Sequence, residues 1–277
     1  MSNDFLANMA ASSRERVAAA RQACSEAELL RWALATPPPP QLVLAPQGFD
    51  VIAEVKLRSP AVGVLKEGGE DITARVTQYA NAGAAAVSVL TEPDRFEGSL
   101  DHLEQAARAL ADVGAATCSV VPAMRKDFLV DPYQVIEARL AGAGGILVIV
   151  RMLSRGELDA LVATATQLKL FVLVEAFDER DIAVAAQLSA PGILIGVNSR
   201  DLVTLKVVPG RLEELVKELP TAVPRVAESG VATAQDAARL AGCGYDLALI
   251  GSALMTSDDP GKLLASMIAA GRGARGR

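Results

Sequence analysis

Seven apolar runs in this chain end on residues that can move protons, hold charge or cradle an anion. Val51–Lys56 ends in Glu54 and Lys56, with Ser59 and Pro60 just beyond. Residues two apart on a strand face the same way, so this carboxylate and ammonium share one side. Burying such a pair costs hydration that its attraction only partly returns, which favours a functional reading over a structural ion pair. Val87–Thr91 stops at Glu92, and Ser119–Met124 runs into Arg125-Lys126-Asp127-Phe128. Leu170–Val174 stops at Glu175, and Ile193–Val197 stops at Asn198 with Arg200 close behind. Arg225–Ala227 stops at Glu228-Ser229-Gly230, and Leu247–Ile250 stops at Gly251-Ser252.

Acid–base chemistry fits these types. Lys126 follows an apolar strand and has Phe128 to shield it, so partial desolvation near other positive groups should lower its pKa and suit it to general acid work. Glu175 follows Phe171-Val172-Leu173-Val174, where apolar neighbours should raise a carboxyl pKa and make a general base. The Ser229-Gly230 and Gly251-Ser252 pairs offer backbone N–H groups of the kind that bind phosphate. His102 is the single histidine. It sits between Asp101 and Leu103 in a helical stretch, which leaves a histidine base or a histidine-rich metal site without support.

Parallel strands buried on both faces read as continuous aliphatic runs. With Ile146–Val150 the runs number eight, and each precedes a helical segment: Ile72–Ala82, Leu100–Ala111, Pro132–Ala141, Arg155–Leu168, Glu179–Leu188, Arg211–Leu219, Ala234–Ala241 and Pro260–Ala269. Eight such units predict an α/β fold closed into a (β/α)8 TIM barrel, whose chemistry gathers at the C-terminal strand ends and whose last two loops often bind phosphate. Residues 1–48 read as an N-terminal helical extension with a cap at Ser25 and a Pro37–Pro40 linker; residues 49–270 read as the barrel; 271–277 read as a disordered basic tail. Ala82-Gly83-Ala84, Ala141-Gly142-Ala143 and Ala241-Gly242-Cys243 recur between helix and strand, where glycine ends a helix in the left-handed region.

The 277 residues carry a net charge of −6, are 51% hydrophobic and only 4% aromatic. A negative chain lacks the clustered positive charge that nucleic acid demands. No apolar run reaches the roughly 18 residues of a membrane span. Three cysteines without ligand spacing (Cys24, Cys118, Cys243) suit a reducing compartment. We expect a cytoplasmic protein that binds a small phosphorylated molecule, with no nucleic-acid or membrane partner and no metal, as a monomer or weak homo-oligomer.

In order along the chain, these motifs resemble indole-3-glycerol-phosphate synthase, a barrel enzyme of tryptophan biosynthesis. The resemblance is carried by Ile52-Ala53-Glu54-Val55-Lys56 with Ser59-Pro60, Ser88-Val89-Leu90-Thr91-Glu92-Pro93, and Phe96 with Gly98-Ser99-Leu100. It continues through Arg125-Lys126-Asp127-Phe128, Asp131-Pro132-Tyr133-Gln134 and Leu173-Val174-Glu175. Gly196-Val197-Asn198-Ser199-Arg200-Asp201-Leu202, Ala227-Glu228-Ser229-Gly230 and Ile250-Gly251-Ser252-Ala253-Leu254-Met255 complete it. That family converts 1-(2-carboxyphenylamino)-1-deoxyribulose 5-phosphate to indole-3-glycerol phosphate, releasing carbon dioxide and water without a cofactor.

The resemblance implies that Lys126 is the general acid of ring closure and Glu175 the base of dehydration. Lys56 and Glu54 would orient substrate and aid proton transfer, with Asn198 and Arg200 in support and Glu228 a further acidic member. Ser229, Gly230, Gly251 and Ser252 would hold the phosphate, Phe96 and Phe128 would flank the anthranilate ring, and Ser59 and Leu202 would also contact substrate. The chain departs from the family's pattern at Ala61-Val62-Gly63, at Glu97 and at Gly144, none of which removes a catalytic group. The residues by themselves leave open a Schiff-base aldolase using Lys56 or Lys126, and a paralogue that binds phosphorylated ligands without turnover. A phosphoribosylanthranilate isomerase would want a strand-end cysteine, which none of the three supplies.

Overall fold

The computed structural model describes residues 5–46, 48–59, 63–64, 70–117 and 119–275. Eight parallel strands close a barrel in chain order. They are β1 (Asp50–Val55), β2 (Ala86–Leu90), β3 (Ala123–Lys126), β4 (Gly145–Ile149), β5 (Phe171–Ala176), β6 (Ile193–Asn198), β7 (Arg225–Glu228) and β8 (Leu247–Ile250). The ring closes where β1 pairs with β8, Asp50 beside Leu247 and Ala53 beside Ile250. This is the (β/α)8 barrel expected from the alternation of aliphatic runs and helices.

Strand alternation sorts the core into two shells. Val51, Ala53, Val87, Val89, Ile146, Val148, Val172 and Val174 face outward into the layer of helices. Ile52, Ala86, Met124, Leu147, Leu173, Leu194, Val226 and Leu247 fill the barrel interior. Continuing each inward series by two residues toward the mouth reaches Glu54, Lys126, Glu175, Gly196 and Glu228. The same pattern turns Arg125 and Asp127 outward.

Several boundaries differ from the sequence reading. β3 starts at Ala123, four residues later than the run Ser119–Met124 suggests, because Pro122 has no N–H to donate and leads into the ladder instead. Arg125 and Lys126 therefore lie within the strand. The helix Ala234–Cys243 passes through Gly242 and is ended by Gly244 at φ 116°, while Gly83 and Gly142 take left-handed values as expected. The tail expected to be disordered is helical through Arg275, as the last turns of Pro260–Arg275. There Arg272 donates to Phe49 O at 3.1 Å and to Asp50 Oδ1 at 2.7 Å, and Arg275 pairs with Asp246. A frayed-terminus reading misses these because the partners lie far off in sequence, Phe49 and Asp50 more than two hundred residues away and Asp246 just ahead of β8.

The N-terminal segment forms α1 (Phe5–Ala23) and α2 (Glu26–Ala35), and Ser25 caps α2 by accepting from Glu28 N. The linker then runs beneath the barrel. A side chain at Gly144 would meet Pro40 O at 2.4 Å, so the glycine found there is what lets the linker pass so close.

Candidate active site

Strand ends of β1, β3, β5 and β7 aim Glu54, Lys126, Glu175 and Glu228 into one cavity of about 460 Å³ at the barrel mouth. Lys56, one residue past β1, joins them through a 2.5 Å contact from its Nζ to Glu54 Oε1. Lys126 Nζ lies 3.4 Å from Glu175 Oε2 and 3.7 Å from Glu228 Oε2. Three carboxylates and two ammonium groups thus share a pocket walled by Leu90, Leu147, Ile149 and Leu249.

Electrostatics here overturn one expectation. Burial disfavours the charged form of Lys126, but Glu175, Glu228 and Glu54 outweigh it and hold the ammonium above the ordinary lysine range. The sequence placed Lys126 among positive groups; the fold instead surrounds it with carboxylates from three other strands. The carboxyl pushed well above its ordinary range is that of Glu228, first by burial and then by the adjacent Glu175 carboxylate. Neither oxygen of Glu228 receives a hydrogen bond. Burial also opposes the charge on Glu54, yet Lys56 and then Lys126 bring its pKa below the usual value.

Room for these groups comes from two glycines, one within β6 and one just past β8. A Cβ at Gly196 would fall 2.1 Å from Glu228 Oε1, and one at Gly251 would fall 2.2 Å from Glu54 Oε1 and 2.9 Å from Lys56 Nζ. Gly251 was anticipated only as a phosphate residue, and Gly196 was not singled out.

Around the rim, Asn198 ends β6 and accepts from Arg200 N at 2.9 Å. The Arg200 guanidinium donates to Leu205 O at 2.7 Å, bracing the 199–208 loop that brings Leu202, Leu205 and Val207 over the cavity. Ser229 and Gly230 stand at φ 68° and 76°, a tight left-handed turn directly after β7 at the edge of the cavity. Beside them Gly251 leads into the short helix Ser252–Met255, whose first turn no side chain caps. All four of these residues line the same cavity.

Phe96 and Phe128 both reach the pocket, ring centroids 6.2 Å apart. A third ring, Phe5 from α1, meets Phe128 edge-on at 5.7 Å. Sequence reading did not name Phe5, although the buried face of α1 (Leu6, Met9, Ala10, Ser13, Val17) repeats at helical spacing and marks a docking surface headed by that ring. Ser59 lies in a small ribbon pairing Arg58–Ser59 with Gly63–Val64, and its side chain, with Pro60, Ala61 and Val62, lies outside the described residues.

Two other acidic groups, in the loop after β2, serve structure. Glu92 caps the turn Pro93–Phe96, accepting from three backbone N–H groups, and does not line the cavity. Glu97 takes the left-handed φ of 55° and pairs with Arg58 at 3.1 Å, so its charge is turned to a cation across the first loop. Cys24 and Cys243 lie away from the pocket, and Cys118 is outside the described residues. Among the described residues no group of three or more His, Cys, Asp or Glu is arranged to hold a metal ion.

The family model described as indole-3-glycerol phosphate synthase matches residues 6–267. The chain is 40% identical over 261 residues to the indole-3-glycerol phosphate synthase of Mycolicibacterium smegmatis, covering 93% of this chain and 91% of that one. It is 39% identical over 257 residues to the protein of that name from Mycobacterium leprae, with 91% and 90% covered. Among solved structures, thiamine phosphate pyrophosphorylase from Pyrococcus furiosus superposes with a TM-score of 0.58 at 13% identity, over 82% of this chain and 97% of that chain. A 3-hexulose-6-phosphate synthase from Salmonella typhimurium gives 0.58 at 10% identity, over 80% and 97%. These last two likenesses speak to the barrel alone.

Proposed function

The chain belongs to the indole-3-glycerol phosphate synthase family, and on that premise we propose which of its residues carry the reaction. It is a carboxy-lyase of tryptophan biosynthesis, closing the indole ring of 1-(2-carboxyphenylamino)-1-deoxyribulose 5-phosphate with loss of carbon dioxide and water. The single observation that carries the residue assignment is the convergence of Glu54, Glu175, Glu228, Lys56 and Lys126 in one apolar-walled cavity.

Ring closure joins an aromatic carbon to the substrate's keto carbon, and negative charge develops on the carbonyl oxygen. Lys126 donates a proton to that oxygen. Its raised pKa keeps the donor form populated across the physiological range, and the basicity of the developing alkoxide supplies the driving force. Carbon dioxide then leaves from the ring carbon under attack. In dehydration the C–O single bond left by ring closure breaks and its hydroxyl leaves as water on a proton from the Lys56 ammonium. Glu175, across from Lys126, takes the proton lost from the neighbouring carbon as the ring double bond forms. Lys56, held by Glu54, orients substrate and assists proton transfer, and Asn198 with Arg200 supports the site from β6. Glu228 serves as a reservoir that favours its protonated form. Ser229, Gly230, Gly251 and Ser252 receive the phosphate on backbone N–H groups and hydroxyls, Phe96 and Phe128 hold the anthranilate ring, and Ser59 and Leu202 complete the substrate contacts.

A Schiff-base aldolase is the poorer reading. A nucleophilic lysine needs its neutral form, normally obtained through a depressed pKa, whereas the acidic groups around Lys126, Glu175 first, raise its pKa and hold it charged. We read residues 1–48 as an extension completing the mouth of the barrel, and the protein as a cytoplasmic monomer or weak homo-oligomer. The deciding experiment incubates the purified protein with the carboxyphenylamino-deoxyribulose phosphate and follows indole fluorescence. No indole, together with a borohydride-trapped adduct on a phosphorylated keto-substrate, would replace this reading with the aldolase.

A further inference from the structure

The residue next to Lys126 is anchored to the N-terminal extension. The Asp127 carboxylate has no solvent exposure and accepts from Arg16 through both of its oxygens, at 2.8 and 3.0 Å. The same carboxylate accepts from Thr91 Oγ1 at 2.8 Å, from Arg125 Nη2 at 3.1 Å and from the Phe128 N–H at 2.8 Å. Further along the same helix face, Ser13 Oγ donates to Phe128 O at 2.6 Å and itself accepts from Arg16 Nη2 at 2.7 Å. Thus α1 grips the side chain of Asp127 and the carbonyl of Phe128, the two residues that follow the proposed acid.

Neighbouring residues on a strand point to opposite sides. Fixing Asp127 outward therefore fixes Lys126 inward, and fixing the Phe128 carbonyl sets where that ring stands in the pocket. Three of the anchoring contacts, those from Thr91, Arg125 and the Phe128 N–H, come from residues at or next to the barrel strands and would persist in an isolated barrel. The two-pronged contact from Arg16 would not. Its planar guanidinium fits a carboxylate in a way that an ammonium or a neutral side chain cannot reproduce.

We infer that Arg16 is a positioning residue of the reaction: through Asp127 it holds Lys126 and Phe128 in their working directions, so that the extension helps to set turnover. This rests on the assignment of Lys126 as the acid. A displacement of about 1 Å at a catalytic group can cost roughly a hundred-fold in rate, so loss of one of several anchors should be felt in kcat before it is felt in folding.

The test is a double-mutant cycle read as kcat and KM for indole formation. Arg16→Met is expected to lower kcat by about ten-fold or more and to change KM less, at a temperature where its circular dichroism matches the parent. In a Lys126→Met background the same substitution should lose most of that effect, because the group it positions is gone. Arg272→Met, which removes an ion pair to Asp50 at the opposite end of the barrel, serves as a stability control and should leave kcat near the parent value. An unchanged kcat in Arg16→Met, or an equal fold-loss in both backgrounds, overturns the inference. If Arg16→Met does not accumulate folded, Arg16→Lys, which keeps the charge but not the fork, goes through the same cycle with the same two outcomes. Parental turnover in Lys126→Met alone would overturn the acid assignment and this inference with it. A deficient Lys126→Met beside a fully active Arg16→Met would overturn the inference alone.

Discussion

The Glu228 carboxylate occupies the space that any side chain at residue 196 would need, with Oε1 only 2.1 Å from where a Cβ at Gly196 would stand. One bare strand position on β6 thus permits an acid on β7 to lie flat against the barrel wall, beneath Lys126 and beside Glu175. Gly196→Ala should push Glu228 toward the cavity centre. Overpacking of this kind costs about 1–3 kcal/mol, so a modest fall in melting temperature is expected alongside a larger fall in turnover. An alanine variant with parental kcat would show that the place of Glu228 is immaterial to the reaction.

Proton-transfer roles separate under substitution. Lys126→Met should keep the fold and lower turnover by about 10²-fold or more, the usual worth of general acid catalysis. Glu175→Gln should also lower turnover by about 10²-fold or more while substrate affinity stays near parental, because ring and phosphate contacts come from other strands. Any intermediate that accumulates should be closed and decarboxylated but still hydrated. Weakened binding with unchanged kcat would make Glu175 a binding residue instead.

Inorganic phosphate should raise the melting temperature of the empty enzyme by binding the folded state alone. Gly230→Val should abolish that rise. Residue 230 stands at φ 76°, and a Cβ there already meets Val207 Cγ1 at 3.0 Å, so a branched side chain is strained and crowds the loop. Equal shifts in variant and parent would place the phosphate elsewhere.

Acid should loosen the grip of the extension in a defined window. Burial opposes the Asp127 charge, but Arg16 and Arg125 override it and bring the pKa from 3.8 down to about 2. A folded pKa below the unfolded value means the stabilisation is complete above about pH 4 and is lost as pH falls toward 2. Its size is on the order of 2 kcal/mol. Urea midpoints measured from pH 5 to pH 2 should fall less steeply for Asp127→Asn than for the parent. Parallel curves would show that Asp127 is not a source of the acid sensitivity.

Much of this molecule was readable along the chain because its signals are local. Aliphatic runs bounded by Gly and Pro place eight strands, Ser25 announces a helix start, and alternation within a strand decides that Glu54 and Lys56 share a face. The groups gathered at the mouth were likewise visible at the ends of their runs. What the chain could not show was which residues meet. Lys126 reads as one of a basic pair, since Arg125 is its neighbour in sequence. In the fold Arg125 points outward, and Glu175, Glu228 and Glu54 close on Lys126 from other strands, reversing the expected direction of its pKa. Gly196 carries no chemistry of its own and matters only because β7 sets a carboxylate against it. Phe5, Arg16 and the last helical turn at Arg272 gain their roles from partners distant in sequence. Backbone period and turn chemistry depend on a few consecutive residues, so they are written locally. Electrostatic environment and packing space depend on which strands become neighbours when the barrel closes, and only the tertiary structure decides that.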